Sequence, residues 1–157
     1  MVVSFDDENK RALLSLRQTE ILMKLQSVTL DPELEKRKPA NWYVTPPCSG
    51  LELMFSASIP TFHPEYGRYM LESTPGCPYT GFARDLVSVE ADMRFRRQII
   101  RSHLKPNELP ITVASWPRLG ADGGRFTDPE TRPDPENSPS KSLYVPAEIT
   151  NPHARFP

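Results

Sequence analysis

The stretch Asp85–Leu104, DLVSVEADMRFRRQIIRSHL, is the longest part of this 157-residue chain with a single helical pattern. Its apolar residues recur at a spacing that places them on one side of a helix: Leu86, Val89, Met93, Ile100 and Leu104. Pro106 lacks the N–H that a further helical turn would need, so the helix is expected to end before it. We therefore predict a central amphipathic helix over residues 85–105.

The same helix carries a second face with three arginines, Arg94, Arg97 and Arg101, spaced three and four residues apart. One interpretation is an ordinary solvated face. The other is a docking surface, because guanidinium groups pair with carboxylates through two parallel hydrogen bonds. The net charge of the chain is −1. Because a nucleic-acid binder is expected to be basic, nucleic acid is an unlikely partner and an acidic protein surface is favoured.

The N-terminal part of the chain, residues 1–37, is predicted to be a helical segment. Ser4 followed by Asp7 has the form of a capping box, which predicts a helix over residues 5–28. Apolar residues follow at heptad-like spacing, with Gln18 interrupting their seam. Packing against neighbouring elements is favoured over a dimer seam, because barely three heptads are present.

Residues 38–84 are predicted to form an extended connection, because their prolines disfavour helical geometry in the residues before them. The aromatic residues of this part are interpreted either as core residues or as anchors that fill the grooves of a partner. The candidate anchors are Trp42, Tyr43, Tyr79 and Phe82. The apolar run Leu51–Ile59 fits a short strand or a helical turn, and its periodicity does not decide between them.

Residues 106–157 hold ten of the 18 prolines and few apolar residues. They are predicted to form a Pro-rich extended tail that a partner holds in place, and the candidate contacts are Trp116, Phe126, Tyr144, Val145 and Phe156. The predicted fold is therefore mostly irregular and extended, with two main α-helices over residues 5–28 and 85–104. No independent globular core is expected.

No arrangement of residues indicates catalysis. Cys48 and Cys77 fit two free thiols better than a single disulfide, because the N-terminus carries no secretory signal or mitochondrial presequence pattern. His63, His103 and His153 are too scattered along the chain to indicate a metal site. We predict no catalytic, cofactor-binding or metal-binding residues, and a protein that is not an enzyme. No apolar run approaches the roughly 18 residues that a membrane span needs.

The segment Pro75–Phe82, PGCPYTGF, resembles the Pro-Gly-Tyr-Thr-Gly-Phe turn of microtubule inner proteins in the axonemal doublets of cilia, with Cys77 and Pro78 inserted. The resemblance implies a small nonenzymatic protein that lines the doublet lumen and staples tubulin. It also implies a cytoskeletal localisation in the ciliary axoneme.

These observations favour a structural subunit of a large assembly, a ciliary microtubule-associated protein first of all. The first alternative is an accessory subunit of a mitochondrial complex or a ribosome, with the mitochondrion as the alternative localisation. An alternative of another class is a small enzyme or ligand-binding domain. A pocket with converging polar groups would favour this last class over the other two.

Overall fold

The computed structural model describes residues 1–27, 60–76, 78–79, 81–121, 125–138 and 141–152, with the backbone alone at residues 27 and 84. In chain order the elements are β1 (Val2–Asp6), β2 (Arg11–Ser15), α1 (Gln18–Ser27), β3 (Thr61–Pro64), β4 (Leu71–Thr74), α2 (Ala83–Ser102), β5 (Glu108–Pro110), β6 (Thr127–Asp128) and a 3-10 helix (Ala147–Ile149). The chain divides into two compact units. The first comprises Met1–Ile21, Pro64–Glu72 and Leu104–Pro157, and the second comprises Leu22–His63 and Ser73–His103.

An antiparallel hairpin of β1 and β2 opens the first unit, with Val3 opposite Leu14. The sequence predicts a helix over residues 5–28, and this prediction is wrong for the hairpin. The carboxylate of Asp6 accepts hydrogen bonds from the backbone N–H of Asn9 at 3.1 Å and from its side-chain amide at 2.7 Å. Asp6 therefore stabilises the turn of a hairpin instead of the first turn of a helix. The helix α1 begins only after β2 has ended.

The hairpin is the centre of a four-stranded sheet with the order β5-β1-β2-β6. The strand β5 is antiparallel to β1, with Leu109 opposite Val3. The strand β6 is parallel to β2, with Thr127 opposite Leu14. Both edge strands therefore come from the part of the chain that is predicted to be an extended tail.

The core of the first unit is built around the two central strands. Its buried apolar side chains are Val3, Leu14, Leu16, Phe126 and Ile149, and Trp116 and Val145 pack against them while partly exposed. The tail residues Phe126 and Ile149 therefore lie in a core whose other half is the N-terminal hairpin. That a partner orders the tail stays a prediction.

The helix α2 dominates the described part of the second unit, and it corresponds to the central helix predicted over residues 85–105. Its buried face comprises Asp85, Asp92, Phe95, Ile99 and Ile100. Leu86 and Met93 of the predicted apolar stripe are instead 73% and 53% exposed. The stripe is therefore misplaced for these two residues. The buried residues next to them in the sequence are Asp85 and Asp92, each one residue earlier and therefore about 100° around the helix axis.

Two expectations about the whole chain stay predictions. One is the fold class, mostly irregular and extended with no independent globular core, and the other is the division into segments 1–37, 38–84, 85–105 and 106–157. The apolar run Leu51–Ile59 lies outside the described residues. In the part of the chain that the structure describes, no helix is long and apolar enough to cross a membrane.

Candidate functional site

The 64–72 segment, Pro64–Glu72, runs from the end of β3 into β4 and is held by hydrogen bonds from distant parts of the first unit. Gly67 forms an isolated antiparallel bridge with Thr150. The N–H of Arg68 donates to the carbonyl of Ile149 at 2.8 Å, and the N–H of Val2 donates to the carbonyl of Tyr69 at 2.7 Å. Backbone from both ends of the chain therefore fixes this segment.

A buried pair of amide side chains, Gln18 and Asn151, also holds the segment in place by hydrogen bonds. The side-chain nitrogen of Gln18 donates to the carbonyls of Glu65 at 3.1 Å, Gly67 at 3.0 Å and Met70 at 2.7 Å. The Asn151 amide donates to the side-chain oxygen of Gln18 at 2.9 Å. Gln18 is 2% exposed, so these groups have left water and depend on one another for hydrogen bonds.

Gly67 lets the segment fold closely around its own side chains. A Cβ atom placed on Gly67 would lie 2.8 Å from the ring of Tyr69 and 3.1 Å from the sulfur of Met70. Any larger residue would displace these neighbours. The segment therefore needs glycine at its tightest point.

A buried carboxylate, Glu108, lies at the start of β5 and forms a second polar cluster with β2 and α1. One oxygen accepts a hydrogen bond from the Ser15 hydroxyl at 2.8 Å, and the other accepts one from the Lys105 N–H at 2.8 Å and one from Arg17. The guanidinium of Arg17 also forms two hydrogen bonds of 2.7 Å with Glu20. We call Ser15, Arg17, Glu20 and Glu108 the Glu108 cluster.

Glu108 and Arg17, two charged residues of the Glu108 cluster, stay ionised at neutral pH. Burial alone would raise the pKa of Glu108, but the hydrogen bonds from Lys105, Arg17 and Ser15 together hold the pKa of this carboxyl below its usual value. The hydrogen bond to Glu20 is the largest influence on Arg17 and raises the pKa of its guanidinium. Groups that stay ionised at neutral pH are poor proton donors or acceptors. The cluster is therefore suited to holding β2, α1 and β5 together.

The charged side chains of the 64–72 segment are in a different situation. The carboxylate of Glu65 accepts a hydrogen bond from the neighbouring N–H of Tyr66 at 3.0 Å, and Glu72 is exposed. Arg68 makes long contacts to the carbonyls of Glu148, at 3.3 Å, and Leu16, at 3.4 Å. Both signs of charge therefore lie on a fixed backbone, a suitable arrangement for binding small charged molecules.

Within the described ranges, no three His, Cys, Asp or Glu side chains form a group that could hold a metal ion.

Comparison with known proteins identifies the family. The family model for glutamate-cysteine ligase matches residues 1–157, the whole chain. The chain belongs to the glutamate-cysteine ligase family.

Similar curated proteins support this membership. The chain is 38% identical to a glutamate-cysteine ligase of Schizosaccharomyces pombe over 192 aligned residues, and 43% identical to one of Neurospora crassa over 163 residues. It is 41% identical to the human glutamate-cysteine ligase catalytic subunit over 158 residues. These alignments cover 100%, 100% and 99% of the chain but only 28%, 20% and 21% of the relatives. The chain therefore spans between a fifth and somewhat over a quarter of the length of these ligases.

Membership in the ligase family overturns the functional expectations drawn from the sequence. The resemblance to ciliary microtubule inner proteins is wrong, since it rested on eight residues whereas the ligase match covers all 157. The expectation of a nonenzymatic structural subunit is wrong with it, and so is the alternative of an accessory subunit of a mitochondrial complex or ribosome. Tubulin and acidic assembly surfaces as partners are also wrong, as are the cytoskeletal, axonemal and mitochondrial localisations.

The residues that the sequence singles out for partner binding are distributed over the first unit, the second unit and the residues outside the described ranges. Trp42, Tyr43 and Phe156 lie outside the described residues. In the first unit, Trp116 packs against the core and Tyr144 is 67% exposed. Whether any of them contacts another protein stays a prediction.

The other predicted binding residues lie in the second unit. Tyr79 donates its hydroxyl hydrogen to Asp92, and burial together with this hydrogen bond raises the pKa of Tyr79 to about 12. Arg94 forms an ion pair of 2.7 Å with Glu90 one helical turn away, an ordinary pairing for a solvated helix face. Phe82, Arg97 and Arg101 are exposed.

Sequence reasoning missed Gln18 and the Glu108 cluster. The signal for Gln18 was present, because a single polar residue interrupted an apolar seam in the N-terminal segment. A buried polar residue in such a position usually has specific hydrogen-bond partners. The partners could not be read from the sequence, because Glu65 and Asn151 lie 47 and 133 residues away.

Proposed function

We propose that this chain is a segment of an enzyme that joins glutamate to cysteine, and that its 64–72 segment contributes side chains to the substrate site. The observation that carries the proposal is the match of the glutamate-cysteine ligase family model to all 157 residues. The activity belongs to the relatives by name, and it is extended to this chain as a proposal because the chain spans only part of their length.

The chemistry of the two amino acids supports the choice of the 64–72 segment. Each amino acid carries an ammonium group and at least one carboxylate, so a site for them needs charged partners of both signs. The segment offers the carboxylates of Glu65 and Glu72 and the guanidinium of Arg68. A guanidinium binds a carboxylate with two parallel hydrogen bonds, and a carboxylate binds an ammonium group.

The hydrogen bonds that hold the 64–72 segment in place support the same choice. A substrate must be held in a defined orientation for rapid reaction, and side chains on a fixed backbone achieve this better than mobile ones. The 64–72 segment is irregular, yet β1, the start of α1 and the 3-10 helix all hold it by hydrogen bonds. The Glu108 cluster is a weaker candidate, because its ionised groups already satisfy one another.

A chimeric ligase tests the proposal. This chain replaces the matching segment of the Schizosaccharomyces pombe relative, and formation of the glutamate–cysteine amide is measured. We expect the chimera to make the product. Glu65→Gln and Glu72→Gln in the chimera should each lower the rate by about a hundredfold or more, the usual effect of removing a group that contacts the reacting substrate.

The matched control is Glu136→Gln, which changes an exposed carboxylate outside the segment in the same way. It should leave the rate within a factor of two or so, as expected for an exposed surface position. A folded chimera that makes no product would contradict the proposed activity. Full activity in both Glu65→Gln and Glu72→Gln would contradict the role of the 64–72 segment.

A further inference from the structure

Six successive backbone carbonyls, from Glu65 to Met70, all accept hydrogen bonds from outside the 64–72 segment. Three of these bonds come from backbone N–H groups: Asn151 donates to the carbonyl of Tyr66 at 2.7 Å, Gln18 to that of Arg68 at 3.2 Å, and Val2 to that of Tyr69 at 2.7 Å. The remaining three carbonyls, those of Glu65, Gly67 and Met70, accept from the side chain of Gln18. Two of them have a second donor, since the Asn151 side chain donates to the carbonyl of Glu65 at 3.3 Å and the N–H of Met70 to that of Gly67 at 2.9 Å. One side chain, that of Gln18, therefore bonds three carbonyls of the same turn.

We propose that Gln18 is a positioning residue that sets the conformation of the 64–72 segment and thereby the placement of Glu65 and Glu72. The inference rests on the proposed function for its catalytic consequence. Its structural part, that Gln18 fixes this turn, can be measured separately.

A primary amide is well matched to this position. Its nitrogen carries two hydrogens, one of which is shared between two of the three carbonyls. Its oxygen accepts the hydrogen bond of 2.9 Å from Asn151, which orients the amide so that its nitrogen faces the turn. Without this donor each of the three carbonyls would lose a hydrogen bond, a cost that a change in the shape of the turn would relieve.

The replacement Gln18→Glu keeps the size of the side chain and exchanges the donor for an ionisable group. An ionised carboxylate would place negative oxygens against three carbonyl oxygens, whereas a protonated carboxyl can still donate one hydrogen bond. Burial beside acceptors should raise the pKa of the new carboxyl above its ordinary value. The turn should therefore keep its conformation at low pH and lose it as the pH rises, which a merely space-filling role would not produce.

The test is hydrogen exchange of the chimeric ligase, followed by mass spectrometry of peptides that cover the 64–72 segment, at pH about 5 and about 9, on either side of a raised carboxyl pKa. Gln18→Glu should lower the protection of these amides by at least about tenfold at the higher pH, equivalent to about 1.4 kcal/mol, and restore most of it at the lower pH. The rate of product formation should follow the same pH profile. Gln18→Met, which donates at no pH, should lose protection at both.

The matched control is Gln26→Glu, which places the same new carboxylate at an exposed position near the end of α1. It should give wild-type protection at both pH values. The inference is overturned if Gln18→Glu has the pH profile of Gln26→Glu, or if Gln18→Met loses protection throughout the four-stranded sheet as well as in the segment. If Gln18→Glu does not fold, Gln18→Met alone decides between these outcomes. The expected exchange pattern in a chimera that makes no product would contradict the proposed function and leave the positioning role standing.

Discussion

Replacing Glu108 with glutamine should weaken the four-stranded sheet by about 2 kcal/mol at neutral pH. Glutamine can present its oxygen to Arg17 and to the Lys105 N–H, and the Ser15 hydroxyl can turn to accept from the new amide nitrogen. The bonds that Glu108 makes with the Lys105 N–H and the Ser15 hydroxyl thus change from bonds to a charged carboxylate into bonds between neutral groups. A bond to a charged group contributes about 1.5–3 kcal/mol and a neutral bond about 0.5–1.5 kcal/mol, so each change costs about 1 kcal/mol.

The loss should depend on pH in a defined direction. The pKa of Glu108 is held below its ordinary value of 4.5, so the ionised carboxylate stabilises the fold at pH values above 4.5. This contribution is lost as the pH falls through the lower pKa of the folded state. The difference between wild type and Glu108→Gln should therefore be constant near neutral pH and shrink in acid.

Hydrogen exchange of the sheet amides in the chimeric ligase measures the free energy of local opening for this prediction. Glu20→Gln is the control, because Glu20 binds the same Arg17 but its side chain is 50% exposed. Exposed ion pairs contribute between about 0 and 1 kcal/mol, so the control should have a small effect. Equal effects of the two replacements, or a Glu108→Gln effect that does not shrink as the pH falls below 4.5, would refute the assignment of Glu108 as a buried ionised anchor.

Three further predictions follow from other parts of the fold. Tyr79→Phe should remove a phenol that titrates near pH 12, which ultraviolet absorbance detects. Because the pKa of Tyr79 is raised in the fold, the stability that its hydroxyl contributes over phenylalanine should disappear as the pH rises from about 10 towards that value. Phe126→Ala should lower the opening free energy of the sheet by about 3–5 kcal/mol because Phe126 is fully buried, whereas Leu86→Ala at a 73% exposed position should change local stability by less than about 0.5 kcal/mol. Lys10→Gly should stabilise the hairpin turn by up to about 1 kcal/mol in the same exchange measurement, because Lys10 has a φ of 55° that glycine adopts without strain.

The sequence located α2 well and the N-terminal hairpin poorly, for physical reasons. Residues 83–102 combine helical spacing with a proline just beyond the end, and both signals act within a few residues of each other. The N-terminal strands contain apolar residues that would also fit a helix, and the acidic turn between the strands resembles the start of a helix. Strand pairing with β5 and β6 decided the outcome, and no local pattern reports a partner more than 90 residues away.

The candidate site shows the same limit. Gln18 was visible as a polar interruption, and Gly67 stands in a segment rich in turn-forming residues. What could not be derived is that the 64–72 segment meets residues 2, 18 and 151, because this meeting is a property of the folded chain. The function was missed for a further reason. This chain spans only 20–28% of the length of these relatives, so a search of it for local catalytic motifs covers no more than that share.

The order of strands in the sheet has a consequence for folding during synthesis. The central hairpin is complete once residue 15 has left the ribosome, but its two outer neighbours arrive only with residues 108–110 and 127–128. At about 5–20 residues per second, the second neighbour follows roughly 5–20 s after the hairpin. During that interval both hairpin edges present unpaired N–H and carbonyl groups, which other nascent chains can pair with. Pairing strands across loops of about a hundred residues is also slow, so this sheet should form late.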